Sequence, residues 1–248
     1  MLWSGAVTVS ARPWPHARDW AYLLITGAHA AHSTLPGDDV INGWLDRLSG
    51  LGYSGVRTGA VSPDIADTLS RNGFRAVQDL ALLSIDLSRR TVPDQHEASI
   101  RPLRGRFLAR HSLVDRILHI DHLAFGDQWG LDHTSLHEAV KATHRSRLFE
   151  ARVGAGVPVG FVLAGATDSA GFIQRLAVLP DHRRSGIGLQ LMEAAHRWLH
   201  TRGCATAVVN TETVNEPALN LYQRCGYGRL PYGLQVLELT LTSGGARP

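Results

Sequence analysis

Two parts of the chain carry the same order of hydrophobic patterns, and each predicts a helix, a strand, a helix and a strand. Apolar residues at i, i+3, i+4 and i+7 indicate helices, whereas short apolar runs between glycine and proline indicate strands. The later part is predicted to contain a helix at 187–202, a strand at 205–211, a helix at 216–224 and a strand at 234–241. The earlier part is predicted to contain a helix at 40–51, a strand at 55–61, a helix at 64–71 and a strand at 80–87.

The two parts align without gaps around their second helices. The stretch ADTLSRNGF at 66–74 lies over LNLYQRCGY at 219–227 with a constant offset of 153 residues. Two copies favour a tandem duplication, because a solenoid needs three or more repeats. The polar, proline-containing stretch 88–98 lacks periodicity and predicts the boundary between the copies. We therefore expect one domain at 1–90 and a second domain at 97–248.

The second domain alternates strands and helices along its length. Its predicted order is β–α–α–β–β–β–α–β–α–β, with a first strand at 99–103 and a predominantly helical stretch at 107–144. Strands that alternate with amphipathic helices form a sheet with helices packed on both faces. The fold class is therefore α/β, built on a mixed sheet.

Composition narrows the class of protein. Of the 248 residues, 44% are hydrophobic and 19% are charged, which excludes wholesale disorder. A net charge of +3 is too small to indicate nucleic-acid binding, and only the isoelectric point near 9.2 leaves a nucleic-acid-binding accessory role open as an alternative. We expect a soluble, cytoplasmic protein without a signal peptide or membrane span. The sequence has two cysteines, and it shows neither an apolar leader nor a run of about 18 apolar residues.

The stretch LAVLPDHRRSGIG at 176–188 carries the chemistry. A basic loop with Arg183 and Arg184 follows an apolar strand, and Gly186 and Gly188 open an amphipathic helix. The first N–H groups of a helix lack internal partners and the helix dipole is positive there, so an anion is favoured. The glycines let a phosphate approach the backbone. Because the spacing matches neither a P-loop nor a dinucleotide-binding fingerprint, we expect another kind of pyrophosphate site.

Two motifs resemble those of the GCN5-related N-acetyltransferase (GNAT) superfamily. The first is R-x-x-G-x-G at 183–188, after V-x-P at 178–180. The second is NEPALNLYQRCGY at 215–227, which is similar to the family's N-x-x-A-x-x-L-Y-x-x-x-G-F/Y block. The resemblance covers 97–242, where the separation of the motifs is most similar to ribosomal-protein alanine N-acetyltransferases, and the tandem layout is similar to mycothiol synthases. It implies a GNAT fold, in tandem with a degenerate, truncated N-terminal GNAT-like unit.

The resemblance implies acetyl-CoA as co-substrate and direct attack by a primary amine in a ternary complex. The acceptor would be a protein N-terminus, a lysine or a small amine. The Val178 N–H would polarise the thioester carbonyl, and Tyr222 would protonate the departing thiolate, the alternative for Tyr222 being a packed core aromatic. The residues implied to bind the cofactor are Leu176, Ala177, Val178, Arg183, Arg184, Ser185, Gly186, Ile187, Gly188, Leu189, Asn215 and Tyr222.

The group that deprotonates the amine departs from the family's pattern. Asn210 stands where the ribosomal-protein enzymes have a glutamate twelve residues before the tyrosine, and asparagine cannot act as a base. Glu212 lies on the same face of the predicted strand and is our candidate base, the alternative being a solvated residue at the strand end. Phe125 and Trp129, with Asn210, are candidates for the acceptor site, although both aromatics also fit a role as buried anchors between helices.

The first domain lacks the features that define the second. HSTLPGDD at 32–39 replaces the basic glycine loop, Asp38 and Asp39 would repel a pyrophosphate, and Leu69 replaces the tyrosine. We therefore expect no CoA site there, and no metal site anywhere because the histidine and cysteine spacings fit none. A catalytically weak CoA-binding sensor or interaction protein is the alternative to an enzyme, and a monomer or homodimer is expected.

Overall fold

The computed structural model describes residues 3–4, 8–26, 37–88, 99–103, 107–127, 129–154 and 156–241. The chain forms two compact units. Unit 1 comprises Met1–Ala81, Glu212–Val214 and Pro231–Pro248, and unit 2 comprises Leu82–Thr211 and Asn215–Leu230. The division into domains at 1–90 and 97–248 stays a prediction, because its boundary falls largely on 89–98, outside the described residues.

Helices and strands alternate as the sequence predicts for an α/β protein. The helices are α1 (Asp38–Gly50), α2 (Pro63–Arg71), α3 (His111–Phe125), α4 (His133–Lys141), α5 (Ile187–Thr201) and α6 (Glu216–Arg224). The strands are β1 (Trp3–Ser4), β2 (Thr8–Trp14), β3 (Ala17–Thr26), β4 (Gly55–Thr58), β5 (Arg75–Asp86), β6 (Ser99–Leu103), β7 (Arg145–Val153), β8 (Val157–Ala166), β9 (Ala170–Val178), β10 (Thr206–Glu212), β11 (Gly228–Arg229) and β12 (Leu234–Thr240). Both kinds of element recur from one end of the described chain to the other.

Unit 1 is a mixed sheet with two helices on one face. Its strands lie in the order β1-β2-β3-β4-β12-β5, with β3 and β4 parallel and the other neighbours antiparallel. Trp44 and Leu48 of α1 and Leu69 of α2 share one buried core with Val56 of β4 and Leu237 of β12. The last strand of the chain therefore helps to bury the helices of the first part of the chain.

The hairpin of β2 and β3 in unit 1 was not among the predicted elements. Its two strands pair in antiparallel register from Thr8 with Thr26 to Trp14 with Ala17. Val9 and Leu23 reach the core of unit 1. Arg12 and Pro13 interrupt the short pattern of β2, and the apolar residues 20–25 of β3 form an unbroken run without the alternation typical of a half-buried strand.

Unit 2 is a mixed sheet with helices on both faces. Its strands lie in the order β5-β10-β9-β8-β7-β6, with β11 beside the second half of β5. On one face, Ile117 of α3 and Leu136 of α4 share a core with Phe161 of β8. On the other face, α5 crosses the sheet so closely that a Cβ built on Gly171 would lie 2.7 Å from Leu199. These two layers bring the loop before α5 to the end of β9.

The short helices α2 and α6 begin and end in the same way. Each has a proline in its first turn, and in α6 the Asn215 side chain also accepts a hydrogen bond from the Ala218 N–H. Each is followed by a glycine with a φ of 87°, Gly73 and Gly226, a conformation that favours glycine. This local chemistry explains why the sequence located both helices closely.

Candidate active site

The loop between β9 and α5 contains two residues with left-handed backbone. Arg184 has a φ of 64° and Gly186, the N-cap of α5, a φ of 81°. Within the described ranges Arg184 is the one non-glycine residue with positive φ, a conformation strained for an arginine. Left-handed residues in a turn direct successive N–H groups to one side and form an anion-binding nest. The loop is therefore held in a shape suited to a phosphate.

The first turn of α5 leaves its N–H groups available to a ligand. The first backbone bond that reaches back to the cap is donated by the Gln190 N–H to the Gly186 carbonyl at 3.1 Å. Among the described residues, the amides of 187–189 thus have no backbone acceptor, as at any helix start. The turn carries no acidic residue. Available donors and the positive end of the dipole coincide at this point.

Gly188 permits close packing between α5 and α6. A Cβ built on Gly188 would lie 3.1 Å from Leu221 Cδ2, which is tighter than ordinary contact. Ser185 closes the preceding turn, because its Oγ donates a hydrogen bond to the His182 carbonyl at 2.6 Å. Ser185 thus closes the turn before α5, and Gly188 allows the start of α5 to pack against α6.

Strands β9 and β10 separate next to this loop. Three parallel pairs join 170–172 of β9 to 206–208 of β10. In the described part of both strands the pairing stops there, although β9 continues to Val178 and β10 to Glu212. The edge of β9 that includes Leu176, Ala177 and Val178 is therefore open toward β10. An open strand edge offers N–H and C=O groups to an extended ligand.

Tyr222 is buried in α6, with 6% of its surface exposed. Burial raises the pKa of its phenol to about 12, the Cys225 thiol adds to this rise, and the positive charge of Arg175 lowers the pKa. The phenol therefore keeps its proton at neutral pH and is able to donate it. Its ring centroid lies 5.8 Å from that of Tyr227, whose hydroxyl lies 2.8 Å from Nε2 of the buried His196.

Two further predicted cofactor residues, besides Ser185, make side-chain hydrogen bonds within the protein. Asn215 Oδ1 accepts from the Ala218 N–H at 3.2 Å and so caps α6. Arg183 Nη2 donates to the Ala124 carbonyl at 2.8 Å, and its Nε donates to the Val178 carbonyl at 3.3 Å. Arg183 therefore ties the end of α3 to the end of β9. The roles of both residues toward the cofactor stay predictions.

The two aromatics predicted for the acceptor site lie near the end of α3. Phe125 and Trp129 are both half-buried. The guanidinium carbon of Arg175 lies 3.5 Å from the centroid of the Phe125 ring, and Arg175 Nη2 donates to the Trp129 carbonyl at 2.7 Å. Strand β9 thus supports both residues through one arginine. Their contact with an acceptor stays a prediction.

Asn210 and Glu212 both lie in β10, two residues apart and therefore on one face of the strand. Asn210 is exposed. Glu212, which belongs to unit 1, accepts a hydrogen bond from Gln78 Nε2 at 2.5 Å. The role of Glu212 as a base and that of Asn210 in acceptor binding stay predictions.

Unit 2 contains a buried charged pair that the sequence pattern did not predict. Asp121 is completely buried, and Arg175 contacts it through two nitrogens. A signal for Asp121 existed, because it lies four residues after Ile117 on the apolar face of α3, where a carboxylate requires a partner. The sequence offered no comparable signal for Arg175, since only the packing of β9 on α3 brings the two together.

One histidine of α3 and one of α4 lie beside surface carboxylates. His122 Nε2 lies 2.5 Å from Asp127, and His133 Nε2 lies 3.2 Å from Asp115. A search of the described residues finds no cluster of three or more side chains suited to binding a metal. No helix in the described ranges is long and apolar enough to cross a membrane.

The segment that contains this arrangement is similar to a known protein family. Residues 114–227, from α3 through Tyr227, match the Acetyltransferase (GNAT) family. The chain contains a GNAT acetyltransferase domain. The match includes the whole loop before α5 and Tyr222, so the features described above lie inside the GNAT domain.

Relatives of the GNAT domain are acetyltransferases by name. N-alpha-acetyltransferase 30 of Schizosaccharomyces pombe is 35% identical over 63 residues, which are 25% of this chain and 42% of that protein. A probable N-acetyltransferase of Arabidopsis thaliana is 35% identical over 57 residues, 23% of this chain and 14% of the relative. The matched segments thus span less than half the length of these relatives.

Solved structures share the fold over nearly the whole chain. A tandem GNAT protein from the clavulanic acid biosynthesis pathway superimposes with a TM-score of 0.66 at 12% identity, covering 97% of this chain and 80% of that protein. A GCN5-related N-acetyltransferase from Sphaerobacter thermophilus gives a TM-score of 0.64 at 16% identity, covering 95% of this chain and 77% of that protein. The predicted GNAT fold is confirmed, and a tandem arrangement of this fold has a solved counterpart.

Proposed function

We propose that this protein is an acetyl-CoA-dependent N-acetyltransferase whose GNAT domain transfers an acetyl group to a primary amine. The loop before α5 carries the proposal. It combines two left-handed residues with unpaired N–H groups at a helix start, and β9 and β10 separate beside it. Pyrophosphate suits the loop, and an extended pantetheine arm suits the open edge of β9. Any other ligand would need both an anionic group for the loop and an extended portion for the open edge of β9.

Each residue of the site has a role in the proposed reaction. The amine nitrogen attacks the thioester carbonyl carbon, the carbon–sulfur bond breaks, and the thiolate takes a proton. The buried phenol of Tyr222 is proposed to supply that proton, because its raised pKa of about 12 keeps it protonated at neutral pH. The Val178 N–H, at the open end of β9, polarises the carbonyl. Glu212, held by Gln78, is proposed to take the proton of the amine.

The acceptor is proposed to be a primary amine of a protein or a small molecule. The name of the Schizosaccharomyces pombe relative refers to α-amino groups, so peptides with free N-termini are the first acceptors to test. Phe125, Trp129 and Asn210 are proposed to line the acceptor site. The first part of the chain is proposed to be degenerate, because α1 begins with Asp38 and Asp39 instead of a basic glycine loop.

Calorimetric titration with acetyl-CoA tests the proposed function directly. Micromolar binding at one site per chain is expected, and the double variant Arg184→Glu, Gly186→Glu should lose it because it places two carboxylates at the nest. Asp181→Asn is the matched control, since this residue is exposed and precedes the same loop without contributing to the nest. Binding that survives the double variant would place the cofactor elsewhere, and no binding by the wild type would end the acetyltransferase proposal.

A CoA-binding sensor is the second candidate, and Asn210 is the observation that favours it. Asn210 is exposed in β10. It stands where the ribosomal-protein enzymes, which the sequence resembles, have a glutamate, and an amide cannot accept the proton of the amine. A sensor needs the loop before α5 but does not need the phenol of Tyr222. Removal of the Tyr222 hydroxyl should therefore impair an enzyme and leave a sensor unchanged.

A further inference from the structure

Asp121 and Arg175 form a bidentate ion pair between α3 and β9. Arg175 Nε donates to Oδ2 of Asp121 at 2.6 Å, and Nη2 donates to Oδ1 at 2.8 Å. The carboxylate is completely buried and the arginine side chain is 19% exposed. A buried carboxylate is tolerated only when donors satisfy it, and the two parallel bonds fix the guanidinium plane. The pair is therefore one rigid unit.

The same pair also grips the segment that follows α3. Arg175 Nη2 donates to the Trp129 carbonyl at 2.7 Å, and the Leu131 N–H donates to Asp121 Oδ1 at 2.7 Å. The Arg175 guanidinium lies on the face of the Phe125 ring, 3.5 Å from its centroid. Two bonds to backbone groups thus hold the segment that follows α3, and the cation–π contact holds Phe125, the last residue of that helix.

Arg175 lies close to the parts of the site proposed to carry the reaction. It stands three residues before Val178, in the part of β9 that has separated from β10. Its positive charge lowers the pKa of Tyr222, against the larger effect of burial. Arg183 adds a second tether, from the end of β9 to the Ala124 carbonyl. The separated end of β9 is therefore tied to the end of α3 twice.

We propose that Arg175 and Asp121 form a clamp that holds the loop between α3 and α4 in the shape that receives the amine acceptor. Arg175 is then a positioning residue for the acceptor and not for acetyl-CoA. This inference rests on the proposed acetyltransferase function. It assigns Phe125 and Trp129 to the acceptor site through the arginine that holds them.

Glu150 provides a matched control within the same unit. Its carboxylate is also completely buried, and it accepts hydrogen bonds from Arg116 Nε at 3.0 Å and from Arg152 Nε at 2.7 Å. Neither arginine has a recorded bond, within the described residues, to the segment that follows α3. Glu150→Gln therefore perturbs a buried ion pair without touching the clamp.

Steady-state kinetics separates a positioning role from a structural role. The acceptor is a pool of short peptides with free N-terminal amines, and acetyl-CoA affinity is measured by calorimetry. Arg175→Gln is expected to raise the acceptor KM by a factor on the order of 10 to 100, with acetyl-CoA affinity nearly unchanged. Arg175→Lys keeps the charge but cannot form the two parallel bonds, so it should recover only part of the loss. Glu150→Gln should leave the acceptor KM at its wild-type value.

Hydrogen exchange of the loop provides the readout that needs no acceptor. Asp121→Ala and Arg175→Gln should speed exchange of a peptide containing the Leu131 amide, while Glu150→Gln should not. Unchanged exchange, or an equal rise of acceptor KM in the Glu150 variant, would overturn the clamp. Loss of acetyl-CoA affinity in Arg175→Gln would overturn its assignment to the acceptor. If the wild type acetylates no peptide but binds acetyl-CoA, the peptide acceptor is wrong, and the exchange result still decides whether the clamp exists.

Discussion

The helices α1 and α5 follow equivalent patterns in the two parts of the sequence, yet their first turns carry opposite chemistry. Helix α1 begins after Gly37, which has ordinary extended backbone, and places Asp38 and Asp39 in its first turn. Helix α5 begins after the left-handed Gly186, has no acid in its first turn and follows the strained Arg184. Carboxylates therefore lie at the positive end of the α1 dipole. The positive end of the α5 dipole carries no acidic side chain.

The second helices differ by a single functional group. Helices α2 and α6 have bounds exactly 153 residues apart, and Leu69 and Tyr222 occupy equivalent buried positions with 0% and 6% exposure. Both side chains face a core, but only the tyrosine brings an ionisable hydroxyl. One helical scaffold therefore serves packing alone in α2, and in α6 it also carries the hydroxyl that is proposed to donate a proton.

The largest expected effect comes from making α6 resemble α2 at this position. Tyr222→Phe keeps the ring and removes the proton donor, so kcat should fall by about 10²- to 10⁴-fold. Acetyl-CoA affinity should stay within about twofold of the wild type. Steady-state rates and calorimetry on the same preparation measure both. Turnover that survives in the variant would favour the sensor or another proton donor.

Alkaline pH should destabilise the protein through Tyr222, an effect that Leu69 cannot produce. The phenol titrates near 10 when unfolded and at about 12 when folded, so its stabilising contribution is complete below pH 10. That contribution, about 3 kcal/mol at most, is lost as pH rises from 10 through 12. Denaturant unfolding at a series of pH values should show a steeper alkaline loss for the wild type than for Tyr222→Phe. Equal slopes would contradict the raised pKa.

Substitution at Gly188 should weaken the contact between α5 and α6. A side chain there meets Leu221, since a Cβ would already lie 3.1 Å from Cδ2. We expect Gly188→Val to lower the free energy of unfolding by about 1–3 kcal/mol and to weaken acetyl-CoA binding. Gly43 is the control, because a Cβ there meets nothing within 4 Å. Chemical denaturation checks the stability, and an unaffected Gly188→Val would mean that α6 yields easily.

The smallest effect is expected from removing the acids of α1. Asp38→Asn combined with Asp39→Asn takes away the repulsion but creates neither a left-handed N-cap nor a basic loop. Stoichiometry of acetyl-CoA binding should therefore stay at one per chain by calorimetry. A second site in this variant would show that charge alone had closed the first part of the chain to the cofactor.

Sequence patterns located most elements but not every strand. The helices α2 and α6 were found within one residue, because proline and glycine mark their ends. The hairpin of β2 and β3 was not predicted, since Arg12 and Pro13 interrupt the pattern of β2 and the apolar residues 20–25 of β3 do not alternate. Sequence patterns thus locate a helix well when proline and glycine mark its ends. They locate a strand poorly when its stability depends on neighbouring strands.

The candidate site divides in the same way. The loop at 183–188 and Tyr222 were found because their chemistry follows from contiguous residues. The direction of the Arg183 side chain, which bonds to the carbonyls of Ala124 and Val178, was not foreseen. The pairing of Gln78 with Glu212 was also missed, because 134 residues separate them along the chain.

The sequence by itself determined the α/β class, the repeated helix pattern and the basic glycine loop that is proposed to bind an anion. These depend on local preferences: periodicity, helix ends, and glycines that tolerate left-handed backbone. Only the tertiary structure decided where β9 leaves β10, how deeply Tyr222 is buried, and that Arg175 reaches Asp121. These depend on contacts between residues far apart in sequence, since a pKa or an ion pair is set by whichever groups packing brings within a few ångströms.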